Sequence, residues 1–224
     1  MFNTWFFLTV VSAIVDWIAI YRDHTAVNYF AKPAALLALI AWFTSLGGWQ
    51  LGLTLFGLAL IFSLAGDILL MLPDRFFIYG LYAFLITHIC YIIGFNPAQP
   101  VNTLPTLLIG AGVLLISSVL FNVLRKAILL RLDQRKMETP LLIYCLALSM
   151  MLFSALLTLA QSTWTPGASG LVTTGAILFF ASDGLLAYNR FVKTLPNAQF
   201  YVRIGYHLGQ IALITGVLLN FSTH

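Results

Sequence analysis

Two aspartates interrupt long apolar runs: Asp67 in "FSLAGDILLMLPDRF" and Asp183 in "FFASDGLLAYNRF". Two carboxyls in one poorly solvated site cannot both ionise comfortably, so one holds a proton while the other stays charged. That is a general acid beside a general base. The combination suits hydrolysis through an oxocarbenium-like state, in which the acid protonates the substrate and the base activates water. Each such Asp in hydrocarbon costs about 2.5–3.5 kcal/mol, a large part of a net stability of about 5–15 kcal/mol. Their placement therefore points to chemistry before packing.

Other polar residues repeat near them. Arg203, Tyr206, His207 and Gln210 recur at i, i+3, i+4 and i+7, one face of a helix. Ser63 stands one turn before Asp67, and Asp16 interrupts the first apolar run. Lys32, Arg190, Lys193 and Arg203 are placed to hold a phosphate. The expected site has Asp67 and Asp183 as catalytic pair, with Lys32, Asp16, Ser63, Arg190, Arg203, Tyr206, His207 and Gln210 around the substrate. His88 falls about 18 Å along its helix, too deep to reach the carboxyls, and reads as a packing histidine. Neither H-x-x-x-H nor H-E-x-x-H occurs, so no metal and no other cofactor is expected.

The elements that carry these residues follow from composition. Apolar residues make up 61% of the 224 and charged residues only 8%, far below the quarter or so that covers a soluble domain. The chain is read as an all-α integral membrane protein, a single transmembrane domain of eight helices over about 3–21, 32–46, 50–72, 76–95, 103–124, 139–160, 169–189 and 201–220. Pro33 and Pro140 each open a helix, where a missing N–H costs no bond. Gly47-Gly48, "NPAQPVN" and "TPGASG" mark tight connections. Cys90 and Cys145 lie inside spans and are expected to be unpaired core residues. "MFNTWFFLTVVSAIV" lacks a positive leading segment and reads as a retained first helix.

Every Lys and Arg falls in or beside connections 1–2, 3–4, 5–6 or 7–8. The positive-inside rule then places those loops in the cytoplasm and both termini outside. The formal charge of +4 is thus topogenic, and no nucleic-acid partner is implied. Ala65-Gly66-Asp67-Ile68-Leu69-Leu70 matches Ala181-Ser182-Asp183-Gly184-Leu185-Leu186, each followed by Arg-Phe and then by a helix with one histidine. This divides the chain into halves, 1–102 and 103–224, related by an axis along the membrane normal. The axis would bring the two aspartates face to face, within reach of membrane lipids.

Several segments together resemble the YhhN family of eight-span membrane proteins: "KPAALL", "AGDILL", "FLITHICY", "ASDGLLAYNRF" and the Tyr-His-Leu-Gly-Gln tract of the last helix. The resemblance implies a lysoplasmalogenase, which hydrolyses the vinyl ether bond of a lysophospholipid to a fatty aldehyde and a glycerophospho-base. It also implies that the aspartates of the third and seventh helices are the catalytic pair. The residues alone leave a second class open: a proton-coupled transporter of a lipid or small molecule would use the same carboxyls.

Overall fold

The computed structural model describes residues 2–50, 52–95, 104–130 and 132–222. Eight α-helices account for most of them, with no strand among the described residues. They are α1 Thr4–Tyr21, α2 Thr25–Ser45, α3 Thr54–Met71, α4 Phe77–Phe95, α5 Leu104–Leu129, α6 Glu138–Leu157, α7 Pro166–Phe191 and α8 Ala198–Ser222. All eight are long and apolar enough to cross a membrane, as the expected spans require.

Local chemistry sets the ends. The Asn3 side chain accepts from the Trp5 and Phe6 amides and caps α1. Thr165 caps α7 with Pro166 in the first position, so "TPGASG" opens that helix three residues earlier than expected. Gly47 has φ +79 in the turn after α2, a conformation that needs glycine. The segment "NPAQPVN" lies outside the described residues. Asn220 accepts from the Thr165 amide and donates to the Thr163 carbonyl, tying the end of α8 to the α6–α7 connection.

One boundary is corrected with consequences. α2 starts at Thr25, not at 32, because Asp23 at φ +55 makes the break and "TAVNYFA" is already helical. Pro33 is therefore inside the helix. Lys32 sits seven residues, about 10 Å, from the helix start and is buried. It is not a loop charge. Arg203 is likewise buried within α8, so two of the cations counted as topogenic are interior.

The helices pack chiefly as neighbours in the chain: α1 on α2, α3 on α4, α7 on α8, with α4 and α7 against α6. The α7–α8 contact is backbone to backbone. A Cβ on Gly175 would lie 2.6 Å from the Leu213 nitrogen and 2.7 Å from the Gly209 carbonyl oxygen. Small residues at such crossings are how helices approach closely where lipid supplies no hydrophobic drive. The core is aromatic, with Trp42, Phe43, Phe56, Tyr91, Phe95 and Phe179 fully buried. α5 is the most peripheral, presenting Leu107, Leu108, Leu114 and Leu115 outward. Cys90 and Cys145 are free and buried, as expected.

Candidate active site

Asp67 lies in the last two turns of α3 and is 1% exposed. The preceding Gly66 leaves room for the Phe84 ring of α4, whose nearest atoms would stand 2.6 Å from an added Cβ. Both carboxyl oxygens are engaged. Lys32 Nζ of α2 is 2.7 Å from Oδ1, and the Tyr206 hydroxyl of α8 donates to Oδ2 at 2.7 Å. The ammonium also stands 5.9 Å over the Tyr206 ring. A buried charge is tolerable on these terms, opposite charge plus hydrogen bonds on the remaining lone pairs.

Asp183 is held differently. The Tyr144 hydroxyl of α6 donates a hydrogen bond to its Oδ2. His88 Nε2 of α4 lies 3.1 Å from the same phenol oxygen and 3.6 Å from Oδ2. The His88 ring sits between Tyr144 and Phe179, centroids 5.3 and 5.2 Å away. Among the described residues no Lys or Arg pairs with Asp183. The expectation that His88 is too deep is thus wrong: the count along α4 ignored the side chain and the lean of α4 against α6.

Asp67 and Asp183 line one cavity of about 230 Å³. Its wall is mostly apolar, with Leu70, Leu81, Leu120, Leu124 and Leu148. Lys32, Tyr206, Arg203, Tyr144 and Ser182 add polar groups, and Asn189, Arg190 and Gln199 line it where α7 ends and α8 begins. An apolar wall with a few convergent polar groups is the usual build of a small-molecule site.

The remaining candidates form a second layer. Asp16 is fully buried and takes both oxygens to Arg203, at 3.1 and 3.0 Å. Asn28 donates to Asp16 at 3.0 Å and accepts from Arg203 at 3.4 Å. Ser63 accepts from Gln210 at 2.9 Å, and Gln210 in turn accepts from Tyr91 at 2.6 Å. His207 Nδ1 accepts from the Trp17 indole at 3.1 Å. Asp16, Ser63, His207 and Gln210 are not on the cavity wall. Of the four cations expected near a phosphate, Lys32 and Arg203 answer Asp67 and Asp16, and Lys193 is exposed off the wall. Arg190 remains, stacked 3.8 Å over Phe77 and bonded to the exposed Asp74 at 3.1 Å.

Sequence reading missed Tyr144 and Asn28. Tyr144 is the lone hydroxylated aromatic in the apolar run of α6, and Asn28 precedes the supposed start of α2, so neither belonged to a polar stripe.

Eight apolar helices, seven of which contribute to one chamber lined by two carboxyls, define a multi-pass membrane protein. The YhhN family model matches residues 27–217, and the chain belongs to that family. It is 33% identical over 197 residues to lysoplasmalogenase TMEM86B of Mus musculus, covering 86% of this chain and 76% of the mouse protein. It is 30% identical over 189 residues to the Homo sapiens TMEM86B, covering 83% and 72%. A lysoplasmalogenase of Mycobacterium tuberculosis is 31% identical over 166 residues, covering 70% and 58%. No solved structure matches.

Proposed function

We propose that this protein is a lysoplasmalogenase, cleaving the vinyl ether bond of a lysophospholipid to a fatty aldehyde and a glycerophospho-base. The observation that carries the reading is the placement of Asp67 and Asp183 on the wall of one apolar chamber. The relatives' names supply the reaction class. A vinyl ether is cleaved by protonation at carbon, capture of the oxocarbenium ion by water, and collapse of the hemiacetal. One carboxyl gives the proton and the other activates water. A single acyl tail lies along the leucine wall, and Arg190 meets the phosphate where α7 ends.

The wiring of the two acids favours two related halves. Asp67 of α3 is met from α2 and α8, and Asp183 of α7 is met from α6 and α4. Advancing each helix by four converts one set into the other. With the cations of the helix ends and connections, Arg22, Arg75, Arg125, Lys126, Arg190 and Lys193, facing the cytoplasm, both termini lie outside and the acids sit toward the inner leaflet.

The test is aldehyde release by purified protein from a lysoplasmalogen, against the saturated ether analogue. The vinyl ether yields aldehyde and the saturated ether does not. Asp67→Asn and Asp183→Asn each abolish release while the protein remains folded and monodisperse. Binding without aldehyde release by the natural protein refutes the reading and leaves a carrier.

A further inference from the structure

We propose that the two carboxyls have fixed and different roles: Asp183 delivers the proton, Asp67 is the water-activating carboxylate, and Tyr144 and His88 are positioning residues that aim Asp183. This rests on the hydrolase reading above and assigns the parts within it.

The assignment comes from donors and acceptors. Around Asp67 both neighbours give: Lys32 has three donors and no lone pair, and the Tyr206 hydroxyl donates. A proton on Oδ1 would meet an ammonium head-on, so Asp67 is built to be an acceptor. Arg203 and Asp16 likewise cancel, one guanidinium nitrogen meeting both carboxylate oxygens. Asp183 alone has no fixed cation among the described residues, and an uncompensated buried carboxylate is the costly state. A proton there leaves the layer neutral.

The Tyr144–His88 arrangement says which oxygen carries it. Tyr144 donates to Oδ2, so its own oxygen accepts, and His88 must present Nε2–H to it. His88 Nδ1 is buried with no partner, which fits the tautomer with Nδ1 bare. Tyr144 thus gives its proton to Oδ2, and His88 holds the phenol from beside the same oxygen, 3.6 Å away. Oδ1 has no protein partner among the described residues and belongs to a residue on the chamber wall. That oxygen holds the transferable proton.

The cycle closes without a further reagent. The Asp183 proton goes to the outer vinyl carbon, which bonds it with the C=C electron pair, leaving the oxocarbenium ion. Water adds to the inner carbon and gives a proton to Asp67 Oδ2, the oxygen that Lys32 does not hold. As the hemiacetal collapses, its hydroxyl proton returns to Asp183. The C–O bond breaks, and the proton on Asp67 passes to the departing glycerol oxygen. Both residues end as they began, with one water consumed.

Infrared spectroscopy tests this without substrate. A protonated carboxyl gives a carbonyl band that shifts in D2O and that a carboxylate lacks. The band is expected in the natural protein, absent in Asp183→Asn and retained in Asp67→Asn. In Tyr144→Phe, which keeps Asp183, the band moves to higher frequency, and kcat falls about tenfold with KM unchanged, because the lost hydrogen bond becomes charge-assisted only as Asp183 gives up its proton. No band in the natural protein, or a band lost with Asp67 and kept without Asp183, overturns the assignment. An unmoved band in Tyr144→Phe overturns its positioning role. Because aldehyde release is read separately, a band on Asp183 in a protein that cleaves nothing would end the hydrolase reading and leave the proton where it is placed here.

Discussion

Removing Lys32 orphans a carboxylate, and the size of the loss can be worked out. At 2.7 Å and an effective dielectric of about 20, the gross attraction is about 6 kcal/mol. Taking both ions out of water costs several kcal/mol each, so the pair as a whole contributes only about 2 kcal/mol net. Removing one partner is another matter: it leaves the other desolvated, typically at about 3–5 kcal/mol. Lys32 and Asp67 both line the chamber, so water reaching the orphan trims the penalty to about 2.5 kcal/mol for Lys32→Met and for Asp67→Asn. The double variant buries no charge and should lie about 2 kcal/mol below the natural protein instead of about 5, a coupling of about 3 kcal/mol. Reversible SDS titration of the four proteins in mixed micelles measures the cycle. Additive losses would mean that the two groups do not meet. A Lys32→Met variant as stable as the natural protein would mean that Lys32 is a loop charge after all.

Arg203→Met leaves Asp16 and Asn28 facing a void and is expected to cost about 3 kcal/mol; Asp16→Asn in the same chain restores most of it, read by the same titration. Gly175→Ala forces a methyl against the backbone of α8 and should cost about 1–3 kcal/mol as overpacking. Its activity loss should exceed its stability loss, because α7 carries Asp183 and α8 carries Tyr206. Arg190→Gln should raise KM about tenfold for lysophospholipid, the equivalent of one charge-assisted hydrogen bond, and leave kcat within twofold. A proportional fall in kcat would place Arg190 in the chemistry instead of at the phosphate.

The spans were legible because their determinants are one-dimensional: apolar length, turn residues and the alternation of basic connections. Asp67 and Asp183 were legible because a carboxyl in hydrocarbon stands out at any depth. What failed was the assignment of partners. Lys32 sits beside a proline that is usually read as a helix start, and the preceding "TAVNYFA" carries no cap, so a buried cation was counted as a loop charge. Axial depth alone puts His88 out of reach, although a side chain spans several ångströms and α4 packs on α6. Tyr144 carries no periodic signal at all. It matters only because α7 packs on α6 and brings Asp183 to its hydroxyl, and such cross-helix meetings depend on packing angles that no local pattern encodes.

The bond between Asp16 and Arg203 joins the first helix to the last, 187 residues apart. During synthesis at about 5–20 residues per second, roughly 10–40 seconds pass before the arginine exists. For that interval Asp16 has Asn28 but no cation, and Asp67 of α3 has Lys32 while its phenol donor is still unmade. Insertion and completion are therefore distinct stages for this protein. Chains stopped before α8 can form the first seven spans, yet they leave Asp16 without its cation and Asp67 without its phenol.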